Sequence, residues 1–180
     1  MREPRLAFCP RPFDNSRCDD YYPAMSSKLQ GELSQRKPFG STEEEVYLNI
    51  LRTSEALTWG VSETLKGAEL TPSQYNVLRI LRGAGSEGAT CGQISERMVT
   101  KDPDITRLLE RLDTRGLITR ARDGQDRRYI TVRITPEGLR LLDGLDQPIA
   151  ECHKRQLGHL GERRLASLGR LLEAAREAGR

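Results

Sequence analysis

The sequence predicts a mainly α-helical protein with one small β-hairpin. Three observations carry that reading. Apolar residues recur at spacings of three and four through most of residues 42–178, which is helix periodicity. Three capping residues stand directly before a proline (Thr71 before Pro72, Asp102 before Pro103, Thr135 before Pro136), and that pair marks a helix start. One stretch departs from this pattern. Residues 117–134 hold two short runs, and in the second Ile130, Val132 and Ile134 alternate with Tyr129, Thr131 and Arg133. That period of two predicts a strand with the first set inward and the second outward.

Composition bounds the function classes. A length of 180 residues fits one domain, or one domain with long interaction helices. Charged residues make up 31% against 36% hydrophobic, with a mean hydropathy of −0.62, yet Leu, Ile and Val are spread periodically, so the chain is not globally disordered. Aromatics at 5% argue against a base-stacking platform for single strands or RNA. A net charge of +3 permits nucleic-acid binding without requiring it. No apolar run reaches membrane-spanning length and no apolar segment follows the N-terminal charges, which reads as a soluble cytoplasmic protein. Cys9, Cys18, Cys91 and Cys152 have no metal-type spacing and read as reduced thiols. No phosphate loop, GxSxG, HExxH or placed carboxylate pair is present, so no catalytic residue and no enzyme activity is expected.

In chain order, residues 1–41 lack periodicity and carry Pro4, Pro10, Pro12, Pro23 and Pro38, the signature of a mobile tail; Met25 offers an alternative start. Ser41, Thr42 and Glu43 to Glu45 open a helix. Its stripe of Tyr47, Ile50, Leu51, Ser54, Leu57, Val61 and Leu65 ends near Gly67. That length exceeds what one small core covers, so part of the stripe should meet another helix or another subunit. Thr71 and Pro72 open the second helix, which buries Tyr75, Val77, Leu78, Ile80 and Leu81. Thr90 starts a short third helix with Ile94 and Met98 inward, and residues 99–101 form a turn.

The fourth helix has Asp102 as its cap and Pro103 at its first position. Ile105, Leu108, Leu109 and Leu112 form its apolar face, Asp104, Thr106, Arg107, Glu110 and Arg111 its polar one, and Gly116 its C-terminal stop. Two short helices joined by a turn of three or four residues have helix-turn-helix spacing. The hairpin that follows makes the unit a winged helix, and its tip at residues 122–128 holds an Asp-Gly turn signal with Arg122, Arg127 and Arg128. Thr135 and Pro136 start a fifth helix bearing Leu139, Leu141, Leu142, Leu145 and Ile149, with Pro148 expected to kink it. A last helix carries Leu165, Leu168, Leu171 and Leu172. A polar helix face beside an arginine-tipped hairpin suits a DNA duplex, the helix in the major groove and the tip at the minor groove or backbone. An ordinary amphipathic helix beside a hairpin with solvated arginines has the same pattern.

The strings LTPSQYNVLRIL, ITRLLERLDTRGLITR and DGQDRRYITVRITPEG stand in that order within residues 70–138. With their gaps they resemble the multiple antibiotic resistance regulator (MarR) family of winged-helix transcription factors, and with the flanking helices the resemblance covers roughly residues 43–178. It implies a homodimer built from residues 42–67 and 136–180. Two winged-helix lobes, residues 68–135, would sit on a pseudo-palindromic double-stranded operator, with residues 1–41 as a tail. It also implies that a small aromatic or phenolic ligand weakens DNA binding, and by analogy that the effect is repression. Long apolar stripes at both ends of the chain independently support a dimer; an intramolecular bundle of those helices is the alternative.

Carried onto this sequence, the family pattern makes Thr106 and Arg107 the base-edge candidates, with Asp104 accepting from cytosine or orienting Arg107. Ser73, Thr100 and Lys101 are expected at the DNA backbone. Asp126 and Arg128 match the family's Asp-x-Arg pair, in which the carboxylate fixes an arginine entering the minor groove; an exposed ion pair is the plainer alternative. Arg122 and Arg127 are expected at phosphates. The ligand pocket candidates are Tyr47, Trp59, Tyr75 and Arg79. With His153 and His159 the only histidines, no metal is expected, and no cofactor. Redox-sensing relatives place a cysteine early in the first helix; this chain has none there, which leaves Cys91, at the start of a short helix, as the redox candidate. A winged-helix module that binds protein instead of DNA is the alternative function, although such modules often lose the wing arginines that this chain keeps.

Overall fold

The computed structural model describes residues 28–100, 104–122 and 130–177. The chain divides into two compact units, Met1–Leu51 and Arg52–Arg180. In the first, where the sequence shows no periodicity, there is a short helix, α1 (Lys28–Glu32), with Leu29 buried. Five residues make little more than one turn, too few for a repeat to register. The chain leaves α1 through Ser34 at φ 51°, with the Gln35 N–H donating to the Gln30 carbonyl (3.0 Å). Met25, Cys9, Cys18 and the prolines before residue 28 lie outside the described residues. The next helix, α2 (Thr42–Leu65), starts in this unit. Ser41 Oγ accepts from the Glu44 N–H (3.2 Å) while the Glu44 carboxylate accepts from the Gly40 N–H (2.7 Å). Acids at the positive end of a helix are favourable, as the sequence suggests.

In the second unit α2 ends at buried Leu65. Then follow α3 (Pro72–Ala84), β1 (Ala89–Thr90), α4 (Cys91–Arg97), α5 (Ile105–Thr114), β2 (Ile118–Arg122), β3 (Ile130–Ile134), α6 (Pro136–Leu157) and α7 (Gly161–Glu177). Thr71, Thr90 and Thr135 cap α3, α4 and α6, the first two in full capping boxes with Gln74 and Gln93. The cap of α5 differs from expectation. Asp104 accepts from the Arg107 N–H (3.1 Å), and the helix begins at Ile105. Both aspartates are capping types, and sequence cannot tell which will close the turn; Asp102 and Pro103 lie outside the described residues. At the other end the expected stop holds. Gly116 sits at φ 68°, its N–H donates to Asp113 O (2.8 Å), and the Leu117 N–H donates to Leu112 O (3.0 Å).

The sheet is antiparallel in the order β1-β3-β2, so β3 is its centre. The strand β1 is unanticipated, being two residues long and without alternation. It pairs Ala89 with Val132 and Thr90 with Thr131. This corrects two positions of β3: Thr131 is buried and Ile130 exposed. Thr90 lies opposite Thr131, whereas Ile130 pairs only with Arg122 on the other side, beyond the end of β1. Gly88 makes the approach of β1 feasible, since a Cβ there would lie 2.5 Å from the Val132 carbonyl at a φ of 70°. Tyr129, expected outward, lies outside the described residues.

The core gathers Leu65, Leu78 and Leu81 with Ile94, Leu109, Leu112, Ile118 and Val132, and it takes in Leu142, Leu145 and Ile149 of α6. The packing therefore continues past residue 136, where the sequence suggests a division. Leu139 is exposed although its spacing suggested otherwise, because the buried arc of α6 is centred on Gly138, Leu142, Leu145 and Ile149. The helix runs on through Pro148. Among the described residues no helix is long and apolar enough to cross a membrane.

Candidate nucleic-acid interface

The helix-turn-helix is made by α4 and α5. Its connector spans residues 98–104, longer than expected, because α5 starts behind Asp104. The connector is tied back to α3: Asn76 Oδ1 accepts from the Val99 N–H (2.9 Å). At the far end of α5, Arg115 forks onto two carbonyls, donating from Nη1 to Glu69 O (2.6 Å) and from Nη2 to Ala68 O (3.0 Å). Those carbonyls close the turn that follows α2, so a guanidinium satisfies the negative end of that segment. A third tie holds β3, where Arg133 Nε donates to Ser86 O (2.9 Å).

With those ties in place, Thr106 and Arg107 stand exposed on the first turn of α5, and Glu110, Arg111 and Thr114 continue the same face. Arg107, Arg111 and Thr114, with Gln74, line an open concavity of about 520 Å³. Asp104 spends one carboxylate oxygen on the Arg107 backbone N–H, so it orients that residue through the main chain. Ser73 is half-buried at the second position of α3, and Thr100 is exposed in the connector. Arg122 ends β2 exposed, with Arg120 two residues before it on the same face. Lys101, the Asp123-Gly124 turn signal, Asp126, Arg127 and Arg128 lie outside the described residues.

Of the pocket candidates, Trp59, Tyr75 and Arg79 lie in the second unit and Tyr47 in the first. Tyr75 is buried and Arg79 lies over its ring, 5.8 Å from the centroid. Burial pushes the Tyr75 phenol up from its ordinary pKa. Trp59 instead lines a groove of about 790 Å³ between α2 and α6, with Gly60, Pro148, Cys152 and Gln156. Gln156 Nε2 donates to Leu57 O (3.0 Å) and spans that groove. Tyr47 is exposed on the part of α2 that belongs to the first unit. Cys91 is half-buried at the start of α4 and packs against the core. Among the described residues no group of three His, Cys, Asp or Glu is placed to hold a metal ion.

Sequence reasoning missed Asn76, Arg115 and the pair Arg82 and Asp146, which joins α3 to α6 through two hydrogen bonds of 2.8 and 2.9 Å. Each has its partner tens of residues away, and only Asn76 gives a local hint: a poor helix former between Tyr75 and Val77.

Residues 68–128 match the model of the MarR family. The chain is 43% identical to the MarR transcription factor from Planctomyces limnophilus, whose crystal structure aligns over 76% of this chain and 99% of that one at a TM-score of 0.59. The transcriptional repressor IacR of Pseudomonas putida is 28% identical over 124 residues, 69% of this chain and 73% of its own. A mutant MarR from E. coli, solved in complex with operator DNA, shares the fold at 21% identity and a TM-score of 0.67, over 83% of this chain and 99% of that one.

Proposed function

The chain belongs to the MarR family, and on that premise we propose that it is a ligand-responsive repressor that binds a pseudo-palindromic double-stranded operator as a homodimer. The observation that carries this is the outer face of α5: Thr106, Arg107 and Arg111 exposed together, beside a hairpin whose strand β2 brings Arg120 and Arg122 toward its tip. An arginine can pair bidentately with guanine and a threonine can meet a thymine methyl, so this face reads bases. Ser73, Thr100 and Lys101 contact the DNA backbone, and Arg122 and Arg127 meet phosphates. Arg128, fixed by Asp126, enters the minor groove.

The homodimer is supported by apolar side chains left exposed on the long helices, among them Val46, Tyr47, Leu51, Trp59 and Leu171. In it, residues 42–67 and 136–180 form the dimerisation region and residues 68–135 the DNA-binding lobe, although α6 also completes the lobe's core. A small aromatic or phenolic ligand relieves repression. Of the four pocket candidates, Trp59 lines the groove between α2 and α6.

Fluorescence anisotropy on the duplex upstream of the protein's own gene tests this, with wild type, Arg107→Ala and Arg128→Ala at several salt concentrations. Tight, salt-sensitive binding weakened in both variants is expected. Each lost phosphate contact lowers the slope of log K against log salt by about one. Equal weak binding by all three with a flat slope would overturn the reading in favour of a protein-binding module.

A further inference from the structure

We infer that Asn76 is a positioning residue for the DNA-reading helix, acting through the Val99 backbone and touching no DNA itself; this rests on the DNA-binding reading above. Asn76 lies in the middle of α3, where its side-chain amide competes with the helix backbone and favours caps or turns instead. Tyr75 and Val77 on either side of it are core residues. Helix formation therefore does not account for asparagine at this position.

Its contact does. Met98 closes α4 in an extended conformation (φ −62°, ψ 136°), with its own N–H turned back to Ser95 O (3.4 Å). Val99 is the next residue, and its N–H donates to Asn76 Oδ1 at 2.9 Å. Val99 is 86% exposed. Packing therefore does not hold this residue; the hydrogen bond from its backbone does. The bond fixes the connector as it leaves α4, and the Asp104 cap fixes it again as it enters α5. Between those two points the chain delivers Thr100, and directly after them Thr106 and Arg107. Releasing the first point lets the entry to α5 wander, so the contacts it makes must be ordered at the moment of binding.

The test uses the full chain, the same duplex, and Asn76→Ala and Asn76→Asp beside wild type. Alanine is the better helix former, so a loss in that variant cannot come from a weakened α3. Aspartate keeps an acceptor oxygen in place. For Asn76→Ala we expect roughly tenfold weaker binding with an unchanged salt slope, and about tenfold faster exchange of the Val99 amide by NMR. Asn76→Asp should keep the Val99 amide protected. At the highest salt that still permits binding, where its added charge is screened, it should recover most of the affinity. Three outcomes would overturn the inference: Asn76→Ala binding within about twofold of wild type, a slope lowered by about one as for a phosphate contact, or Asn76→Asp binding as poorly as alanine with Val99 protected. Absence of binding by wild type would overturn the DNA-binding reading, and this inference with it.

Discussion

Leu81 in α3 and Leu171 in α7 are the same residue type on the apolar stripes of two helices, yet Leu81 is fully buried and Leu171 is 67% exposed. The contrast runs through the molecule. In the winged lobe, short helices, a small sheet and part of α6 cover one another, and Leu78, Ile94, Leu112 and Leu142 lose all contact with solvent. Along α7 and α2 several apolar positions stay open, among them Leu51, Leu168 and, at 67%, Trp59, although Leu65 at the end of α2 joins the core. A periodic stripe states that a face is made to be buried; it does not state what buries it. In the lobe the covering is other segments of the chain, and along the long helices the proposed second copy supplies it.

The largest effect that could break this comparison lies in the lobe. Leu81→Ala should lower the unfolding free energy by about 2–5 kcal/mol, because a buried leucine leaves a cavity that its neighbours fill only in part. Urea unfolding monitored by far-UV circular dichroism measures it. A loss below about 1 kcal/mol would mean that the lobe's packing is not the rigid interior its burial implies.

Next in size is the open stripe itself. Leu171→Glu should weaken self-association about a hundredfold, close to 2.7 kcal/mol, while far-UV dichroism of the isolated chain stays unchanged. Sedimentation equilibrium reads this directly. If the variant assembles as wild type does, the exposed leucines of α7 are not the dimer face, and the contrast with Leu81 carries no assembly information.

These two residues also show what sequence could supply. Local signals were readable one by one: the Thr71 and Thr90 caps, the Gly116 stop, the apolar faces of α3 and α5, and the run of β3. Each needs only neighbours within about four residues. The two-residue β1 was not readable, because a strand that short exists only through its pairing with Val132 and Thr131. For the same reason Thr131 and Ile130 exchanged their expected burial. The ties that set the candidate interface were equally hidden: Asn76 reaches Val99, and Arg115 reaches Ala68 and Glu69, across distances in sequence that carry no periodic mark. The exposed polar face of α5 could be named from sequence, while the long-range ties around it could not.

A smaller effect sharpens the account of the lobe. Thr90 both caps α4 and forms half of β1. At seven residues α4 is too short to persist without its cap and its packing. Thr90→Ala should therefore cost about 1 kcal/mol, seen as a lower thermal midpoint. An unchanged midpoint would show that burial of Ile94 alone holds α4, and that the caps read so easily from sequence matter little to stability.

The smallest effect belongs to the bond that ties α3 of the lobe to α6. Arg82 donates from Nη1 to Asp146 (2.8 Å) and from Nη2 to its other oxygen (2.9 Å), with Asp143 at 3.4 Å. Those hydrogen bonds from Arg82, chiefly, hold the Asp146 carboxyl below its ordinary pKa, and donating them to Asp146 raises that of Arg82. A lowered carboxylate contributes stability above its unfolded pKa of about 3.9 and loses it as pH falls through the folded value. The raised arginine contributes below its own unfolded pKa and loses that only as pH rises through a still higher one, so neither changes near neutrality. Both side chains are partly exposed and screened by salt, which limits the pair to about 1 kcal/mol or less. Asp146→Asn should therefore lower the urea midpoint slightly at pH 7, less so in high salt, and the gap to wild type should close as pH falls below about 4. A gap that stays constant from pH 7 to pH 3 would mean that the asparagine loses packing instead of charge, and that α6 is held to the lobe by Leu142, Leu145 and Ile149 alone.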